Sequence, residues 1–232
     1  MRFDQGDISI VTLLRRYKRF LVDVIDENGQ MLTVHCPNTG SMLGCREPGS
    51  QAAISRSNNP ARKYPHTLEM VRENNAWVGV NTARANHLVV EALAAGVIDG
   101  FDASWQIQRE VAVTDGSRLD FRLRRGGEEV YLEVKNCSLA VAGRAFFPDA
   151  VTERGRRHLT TLISLKKAGH GAVIFFLVQS EDAHEFAPAD HIDPNYGQAL
   201  RQAAENGVTV MAYGCAVSPQ GIEIIRALPC IL

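Results

Sequence analysis

The residues best suited to chemistry lie in one stretch, Ser117 to Asn136, which reads SRLDFRLRRGGEEVYLEVKN. Apolar and charged residues alternate on both sides of Gly126-Gly127, a pattern typical of two half-buried strands joined by a tight type I′ turn. If these two glycines form the loop, Asp120 is predicted to face Glu133 directly, and Arg118 to face Lys135.

Two directly opposed carboxylates repel each other, because their Cβ atoms lie about 4.5–5.5 Å apart across a strand pair. Asp120 and Glu133 therefore need a proton or a cation between them, and Mg²⁺ or Mn²⁺ takes carboxylate oxygens as ligands. Lys135, on the same face, is placed to orient a water or to stabilise a developing anion. A surface hairpin with mixed charges is the other interpretation, because an Asp followed by Glu-x-Lys also arises by chance.

A helix is predicted before the hairpin, because the apolar period changes to 3.6 near Asn81. Its apolar stripe begins at Ala85, and Gly96 marks its end. Glu91 lies off this stripe. It is either an exposed helix glutamate or a third carboxylate ligand for the metal.

The elements around and after the hairpin suggest a mixed sheet with helices packed on it. A strand over Ile107 to Val113 leads into the hairpin, and a second helix is predicted over roughly Thr152 to Ala168. Arg154 and His158, one turn apart in its first half, are candidates to hold a phosphate, although a solvated basic face explains them as well. The apolar run Ala172 to Val178 predicts a buried strand.

Residues 1–80 are predicted to form a small all-β unit. About five short apolar runs are separated by turn signals, of which Asn28-Gly29 is the strongest. This pattern suggests a small barrel such as the OB-fold, and other small barrels fit equally well. The chain thus divides into residues 1–80 and residues 81–232, an OB-like β-barrel followed by an α/β (α+β) domain.

Two clusters in the first unit combine cationic and aromatic side chains, which suits single-stranded nucleic acid. The candidates are Arg15, Arg16, Lys18 and Arg19 in the first cluster, and Arg62, Lys63 and Tyr64 in the second, which also contains Arg56. A solvated edge strand guarded by Lys and Arg is the alternative. The turn-rich segment His35 to Gly40 either offers backbone N–H groups to a phosphate or simply closes a turn.

Composition limits the classes of protein that fit. The net charge is −1, so any basic surface must be local. No apolar run approaches the length of a membrane span, and acidic residues stand near the N-terminus where a signal peptide would be apolar. The five cysteines form no C-x-x-C pair, and their odd number argues against a complete disulfide set. A reducing cytoplasm is the expected location.

The element order, with Asp120 and Glu133-x-Lys135, resembles the PD-(D/E)XK nuclease-like core. The resemblance implies that carboxylates of the second and third strands of a meander bind a divalent metal, and that the lysine assists the attacking water. Leu119 stands where the motif has its proline, a position that is not a ligand.

A closer resemblance covers nearly the whole chain. The segments HCPNTGSM (35–42), ARKYPHTLEMV (61–71), SRLDF (117–121), YLEVKN (131–136) and FPDAVTERGRRHL (147–159), in that order, resemble the sugar fermentation stimulation protein family. This resemblance implies a prokaryotic protein with an OB-like N-terminal domain and a nuclease-like C-terminal domain. The family is described as DNA-binding and linked to regulation of sugar metabolism genes.

Two functions follow as hypotheses. The first is a nuclease dependent on Mg²⁺ or Mn²⁺, acting on DNA or on RNA, with Asp120, Glu133 and Lys135 as its catalytic residues. The second is a non-catalytic DNA-binding regulator of sugar metabolism genes on the same fold. A small-molecule enzyme lacks support, because the sequence contains no G-x-G-x-x-G, P-loop or G-x-S-x-G motif.

Overall fold

The computed structural model describes residues 1–4, 6–113 and 116–232. Its N-terminal strands are β1 (Ile8–Tyr17), β2 (Leu21–Ile25), β3 (Met31–His35), β4 (Gln51–Arg56), β5 (His66–Glu73) and β6 (Ala76–Gly79). The elements that follow are α1 (Ala85–Ala94), β7 (Gln106–Ala112), β8 (Arg118–Arg125), β9 (Glu128–Cys137), β10 (Leu139–Val141), β11 (Arg144–Phe147), α2 (Glu153–Lys167), β12 (Gly171–Val178), β13 (Glu185–Pro188), α3 (Pro194–Glu205), β14 (Thr209–Ser218) and β15 (Gly221–Leu228).

The first six strands form a barrel in the order β3-β2-β1-β4-β5-β6. A parallel contact between His35 and Thr67 closes it by joining β3 to β5. Five of these strands were predicted. The sixth, β1, was missed, because a bulge between Leu13 and Arg15 interrupts its alternation.

The second domain is built on a six-stranded mixed sheet in the order β15-β14-β12-β9-β8-β7. Strand β12 lies parallel to β9 and β14, and the remaining pairs are antiparallel. Helix α1 covers one face of this sheet, whereas α2 and α3 cover the other. Strands β10, β11 and β13 form a separate three-stranded sheet. The architecture is the predicted mixed α+β fold, with a barrel followed by a helix-flanked mixed sheet.

Local capping explains where the helices begin. The side chain of Asn81 accepts a hydrogen bond from the N–H of Ala83 at the 3₁₀ turn that leads into α1. Thr152 caps α2 by accepting from the N–H of Gly155, and Asp193 caps α3 ahead of Pro194. These side chains satisfy N–H groups that have no partner inside the helix.

The hairpin between β8 and β9 has the predicted turn. Gly126 and Gly127 have φ values of 54° and 91°, the positive region that a type I′ turn needs. Phe121 pairs with Leu132 in the predicted register. The ladder ends at this pair, so Asp120 and Glu133 are neighbours beyond its last rung rather than a formed pair.

The two domains share contacts at several points. Arg2 bridges to Gly221 of β15, so the first residues of the chain join the second sheet, although the sequence assigned all of residues 1–80 to the barrel. Val78 of β6 bridges to Ser180 after β12. No helix among the described residues combines the length and apolarity needed to cross a membrane.

Candidate metal centre and nucleic-acid interface

The Asp120 carboxylate lies in the gap where β8 and β9 separate. Leu119 belongs to the apolar core under α2, whereas Phe121 belongs to the core under α1, so the alternation of faces breaks at Asp120. Its Oδ2 accepts a hydrogen bond of 2.8 Å from the backbone N–H of Val134. The side chain therefore takes the place of a backbone acceptor, and the carboxylate points between the strands. Its Oδ1 accepts from Nδ2 of Asn86 on α1, also at 2.8 Å.

Glu133 lies beside this gap and is buried, with 3% of its surface exposed. Its Oε1 is 2.6 Å from Nζ of Lys135 and forms a short hydrogen bond with Nδ1 of His158 on α2. Its Oε2 is buried without a hydrogen-bond partner among the described residues. Nε of Arg154 lies 3.4 Å from Nε2 of His158, which extends the chain of polar contacts towards the surface. One carboxylate oxygen is therefore fully engaged and the other is available to a ligand.

The pKa values of the two carboxyl groups are shifted in opposite directions. Burial and the charge of Glu133 raise the pKa of Asp120 to about 6, although the hydrogen bonds from Asn86 and Val134 partly offset this. Burial would also raise the pKa of Glu133, but the hydrogen bonds and charges of His158 and Lys135 hold it below its ordinary value. Glu133 is thus the residue that stays ionised, and its negative charge disfavours the ionised form of Asp120.

The structure brings together most of the residues predicted for this site. Asp120, Glu133 and Lys135 meet at the gap, with His158 and Arg154 beside them. His158 was predicted to contact phosphate and instead bonds directly to Glu133.

The prediction for Glu91 is corrected. Its carboxylate forms an ion pair with the Met1 amino group at 2.7 Å and lies 3.1 Å from Nε2 of His87, and the residue lines a cavity against β15. The rotation of α1 on the sheet turns Asn86, not Glu91, towards Asp120. Sequence reasoning missed Asn86, although a polar residue adjoining the apolar stripe was an available signal.

Asp120 and Glu133 are the two carboxylates at this gap that could act as metal ligands. Among the residues described, no group of three His, Cys, Asp or Glu side chains is arranged to hold a metal ion. Mg²⁺ is nevertheless commonly held by only one or two carboxylates together with waters. Oε2 of Glu133 lacks a hydrogen-bond partner among the described residues, and the charge of Glu133 disfavours the ionised form of Asp120.

The basic clusters of the barrel differ in how their side chains are used. Arg15 stacks 5.0 Å from the Tyr17 ring centre and pairs with Asp23 at 2.8 Å, while remaining exposed. Lys18 and Arg19 form the exposed turn between β1 and β2. In the second cluster, Nζ of Lys63 lies over the ring of Tyr64, 5.5 Å from its centre. Arg62 lines a separate cavity beside the barrel.

Arg16 has a structural role that the sequence did not reveal. Its guanidinium donates to the carbonyl oxygens of Asn38 and Gly40 at 2.8 Å, and also to those of Arg19 and Ser41. The segment from His35 to Gly40 is thereby held against the barrel. Arg16 is therefore corrected from a nucleic-acid contact to an organiser of this loop.

The loop that Arg16 organises also contacts the second domain. The Ser41 hydroxyl donates to the carbonyl oxygen of Asp149 at 2.6 Å, and Oδ2 of Asp149 accepts from the N–H of Met42 at 3.0 Å. A Cβ on Gly40 would lie 2.6 Å from both carboxylate oxygens of Asp149, so a larger residue there would displace this carboxylate. The turn-rich segment is thus a domain junction.

A barrel joined to a helix-flanked mixed sheet, with an Asp and a Glu-x-Lys at a strand gap, defines a two-domain α+β protein with an OB domain. The family model for the SfsA N-terminal OB domain matches residues 14–80, and the model for the sugar fermentation stimulation protein RE domain matches residues 83–221. The chain belongs to the sugar fermentation stimulation protein family.

Curated relatives and a solved structure agree with this assignment. The sugar fermentation stimulation protein homolog of Desulfotalea psychrophila is 50% identical over 232 residues, covering 100% of this chain and 95% of that protein. The homolog of Thioalkalivibrio sulfidiphilus is 51% identical over 231 residues, covering 98% and 97%. The structure of Pyrococcus furiosus SfsA in complex with Ca²⁺ matches with a TM-score of 0.90 at 23% identity and covers 100% of both chains, which shows the shared fold.

Proposed function

We propose that this protein is a nuclease that depends on Mg²⁺ or Mn²⁺ and hydrolyses phosphodiester bonds of DNA or RNA. Asp120 and Glu133 hold the metal in this proposal, and Lys135 positions the attacking water. The barrel binds the nucleic acid. The relatives' names mention neither nuclease activity nor nucleic-acid binding, so the proposal rests on the site itself.

The observation that carries the proposal is the pair of carboxylates, of which Glu133 has one oxygen without a partner in the part of the chain that the structure describes, and Asp120 is held beside a like charge. Oε2 of Glu133 is buried without a partner among the described residues, and Asp120 has a pKa raised to about 6 beside it. A buried polar atom without a partner costs about 1–3 kcal/mol, so its retention favours a ligand that satisfies it. The description of the Pyrococcus furiosus protein as a Ca²⁺ complex supports a divalent cation as that ligand.

The surrounding side chains have distinct roles in this proposal. A bound divalent cation would supply charge neutralisation at the scissile phosphate and an acidified water. The Lys135 ammonium, held 2.6 Å from Glu133 Oε1, orients that water or stabilises the charge that develops on the phosphate. Arg154, exposed next to His158, is placed to contact the flanking backbone of the strand.

A non-catalytic DNA-binding regulator of sugar metabolism genes is the second candidate. Two observations favour it, the first being that no three His, Cys, Asp or Glu side chains in the described part of the chain are arranged to hold a metal ion. Lys135 is also engaged with Glu133. OB-folds bind oligonucleotides in many proteins, so the OB domain supports nucleic-acid binding in either case.

The two candidates are separated by a cleavage assay on single- and double-stranded DNA and RNA, with Mg²⁺, with Mn²⁺ and with chelator. We expect metal-dependent cleavage by the wild type and none by Asp120→Asn or Lys135→Ala. Metal titration should show that Asp120→Asn loses affinity, whereas Lys135→Ala keeps most of it, because lysine is not a ligand. Glu128→Gln, an exposed carboxylate on the same hairpin, is the matched control and should cleave normally.

Two results would contradict the nuclease. Binding without cleavage of any of the four substrates would favour the regulator. Cleavage by Asp120→Asn equal to that of the wild type would mean that another nuclease contaminates the preparation.

A further inference from the structure

A second candidate site lies in a cavity of about 450 Å³ between the barrel and the start of α1. Its lining contains neither Asp120 nor Glu133, so it is separate from the proposed metal centre. Its volume falls in the range of about 300–1,000 Å³ that is usual for pockets binding small ligands. His35, Arg56, Arg62 and Arg84 give this cavity its basic character.

The charges around the cavity are not balanced. Arg84 is committed to the buried Glu69 through a 2.9 Å ion pair, so these two charges cancel. Arg56 and Arg62 have no carboxylate within 4 Å in the part of the chain that the structure describes. Asp7 is the remaining acidic residue of the lining and is exposed. The cavity therefore carries an excess of positive charge beside the barrel.

The histidine of the cavity has an unused polar atom. Nδ1 of His35 is buried and has no hydrogen-bond partner among the described residues. Burial and the charge of Arg62 lower the pKa of His35, so the ring is neutral at pH 7 and one of its nitrogens can donate. Arg56, together with burial, likewise lowers the pKa of the neighbouring His66. The two histidines thus lie close enough to Arg62 and Arg56 to feel their positive charge.

We propose that this cavity binds a phosphate monoester, with Arg56 and Arg62 on its oxygens and the ring of His35 in its wall. A monoester carries about −1.5 to −2 charge at pH 7 and three strong acceptor oxygens. Guanidinium groups match these oxygens with paired N–H donors. The shared chemistry has two sources, the phosphorylated end of a nucleic-acid strand and a free nucleotide. The first source rests on the proposed nucleic-acid function, and the second does not.

The test measures binding by the full chain in chelator, so that neither metal nor cleavage contributes. One arm compares a short single-stranded oligonucleotide that carries a 5′-phosphate, a 3′-phosphate or hydroxyl ends. The other arm titrates adenosine monophosphate and inorganic phosphate. The variants are Arg62→Gln and Arg56→Gln, each checked for folding by circular dichroism. Arg72→Gln is the control, because Arg72 is an exposed barrel residue that contacts Gln51 and Trp77 outside the cavity.

We expect a phosphorylated end to bind about tenfold more tightly than a hydroxyl end, the loss of one charge-assisted hydrogen bond being of that order. Arg62→Gln should abolish this preference and Arg72→Gln should keep it. A second result is that the wild type binds the free phosphates and shows no preference among strand ends. If Arg62→Gln then loses binding of the free phosphates, the same site is supported with a free nucleotide as its ligand. The proposal is overturned if the wild type binds neither kind of phosphate. It is also overturned if Arg62→Gln binds phosphate as tightly as the wild type does. Failure of metal-dependent cleavage would leave each of these results unchanged.

Discussion

At the scale of single residues, Asp120 shows how a side chain can replace part of a sheet. It accepts the Val134 N–H at 2.8 Å where a backbone carbonyl would otherwise stand, and so it holds the strand gap open at the site. Its position beside Glu133 is unfavourable while both are ionised. Function, rather than stability, is the reason we infer for keeping a carboxylate there.

This cost gives a pH-dependent prediction. Asp120 titrates near a pKa of about 3.9 when unfolded and near about 6 when folded. The folded chain thus binds more protons between these values, and its stability falls as the pH rises through them. Without metal, the unfolding free energy of Asp120→Asn relative to the wild type should therefore be higher at pH 7.5 than at pH 4 by roughly 2 kcal/mol. The hydrogen-bond acceptor that the amide lacks is a further cost at either pH. Urea unfolding at both pH values, in chelator, measures this difference.

The control for this prediction is Glu128→Gln, which removes an exposed carboxylate from the same hairpin. The difference in unfolding free energy between Glu128→Gln and the wild type should change between the two pH values by less than the difference for Asp120→Asn does. A stability difference between Asp120→Asn and the wild type that is the same at pH 4 and pH 7.5 would show that the ionisation of Asp120 is not disfavoured in the folded protein.

At the scale of elements, α2 depends on contacts from both domains. The Thr152 N–H that precedes α2 donates to Asp193 at 2.9 Å, and Arg156 pairs with the same carboxylate at 3.2 Å. Asp149, three residues before Thr152, is clamped by the barrel loop that Arg16 organises. The helix that delivers His158 to Glu133 is therefore positioned partly by the barrel.

Gly40→Ala tests this junction, because the added Cβ would lie 2.6 Å from both carboxylate oxygens of Asp149. Overpacking of this kind costs about 1–3 kcal/mol of unfolding free energy. The double variant Gly40→Ala with Asp149→Ala should lose less than the sum of the two single variants, because the clash disappears with the carboxylate. Urea denaturation of the four proteins measures the coupling. Strictly additive losses would mean that the loop and Asp149 do not meet.

The hairpin and the junction show what the sequence could and could not predict. Gly126-Gly127 and the alternation around it are local signals, so the turn and its register were predicted correctly. The end of the ladder before Asp120 depends on how two strands separate over the helices. The choice of Asn86 rather than Glu91 depends on how α1 is rotated when it docks. Such tertiary placements leave no periodic signal in the sequence.

At the scale of the whole molecule, a net charge of −1 leaves nucleic-acid binding to local basic surfaces. Arg15, Lys18 and Arg19 remain exposed at one end of the barrel, whereas Arg16 is used internally. The four residues form one cluster in the sequence, and only the folded loop from Asn38 to Ser41 separates their roles.

This separation predicts two different phenotypes. Charge reversal of Lys18 and Arg19 should reduce the salt dependence of nucleic-acid binding, because each lost phosphate contact lowers the slope by about 0.7 on single strands and about 0.9 on duplex. Arg16→Ala should instead lower the unfolding free energy and leave the slope unchanged. Fluorescence anisotropy over a range of salt concentrations, together with thermal unfolding, separates the two effects. An unchanged slope in the Lys18 and Arg19 variant would mean that these residues do not contact phosphates and serve only to keep other strands from pairing with the barrel.

The hydrogen bond from Val134 to Asp120 also gives the protein an internal spectroscopic probe. An amide proton that donates to a carboxylate shifts downfield when that carboxylate ionises, because a charged acceptor makes the stronger hydrogen bond. In a ¹⁵N-labelled sample, the Val134 cross-peak should therefore follow the ionisation of Asp120 with a midpoint near pH 6. Added Mg²⁺ should move that midpoint to lower pH, so a single backbone resonance would report both the proton and the cation without any substitution at the site.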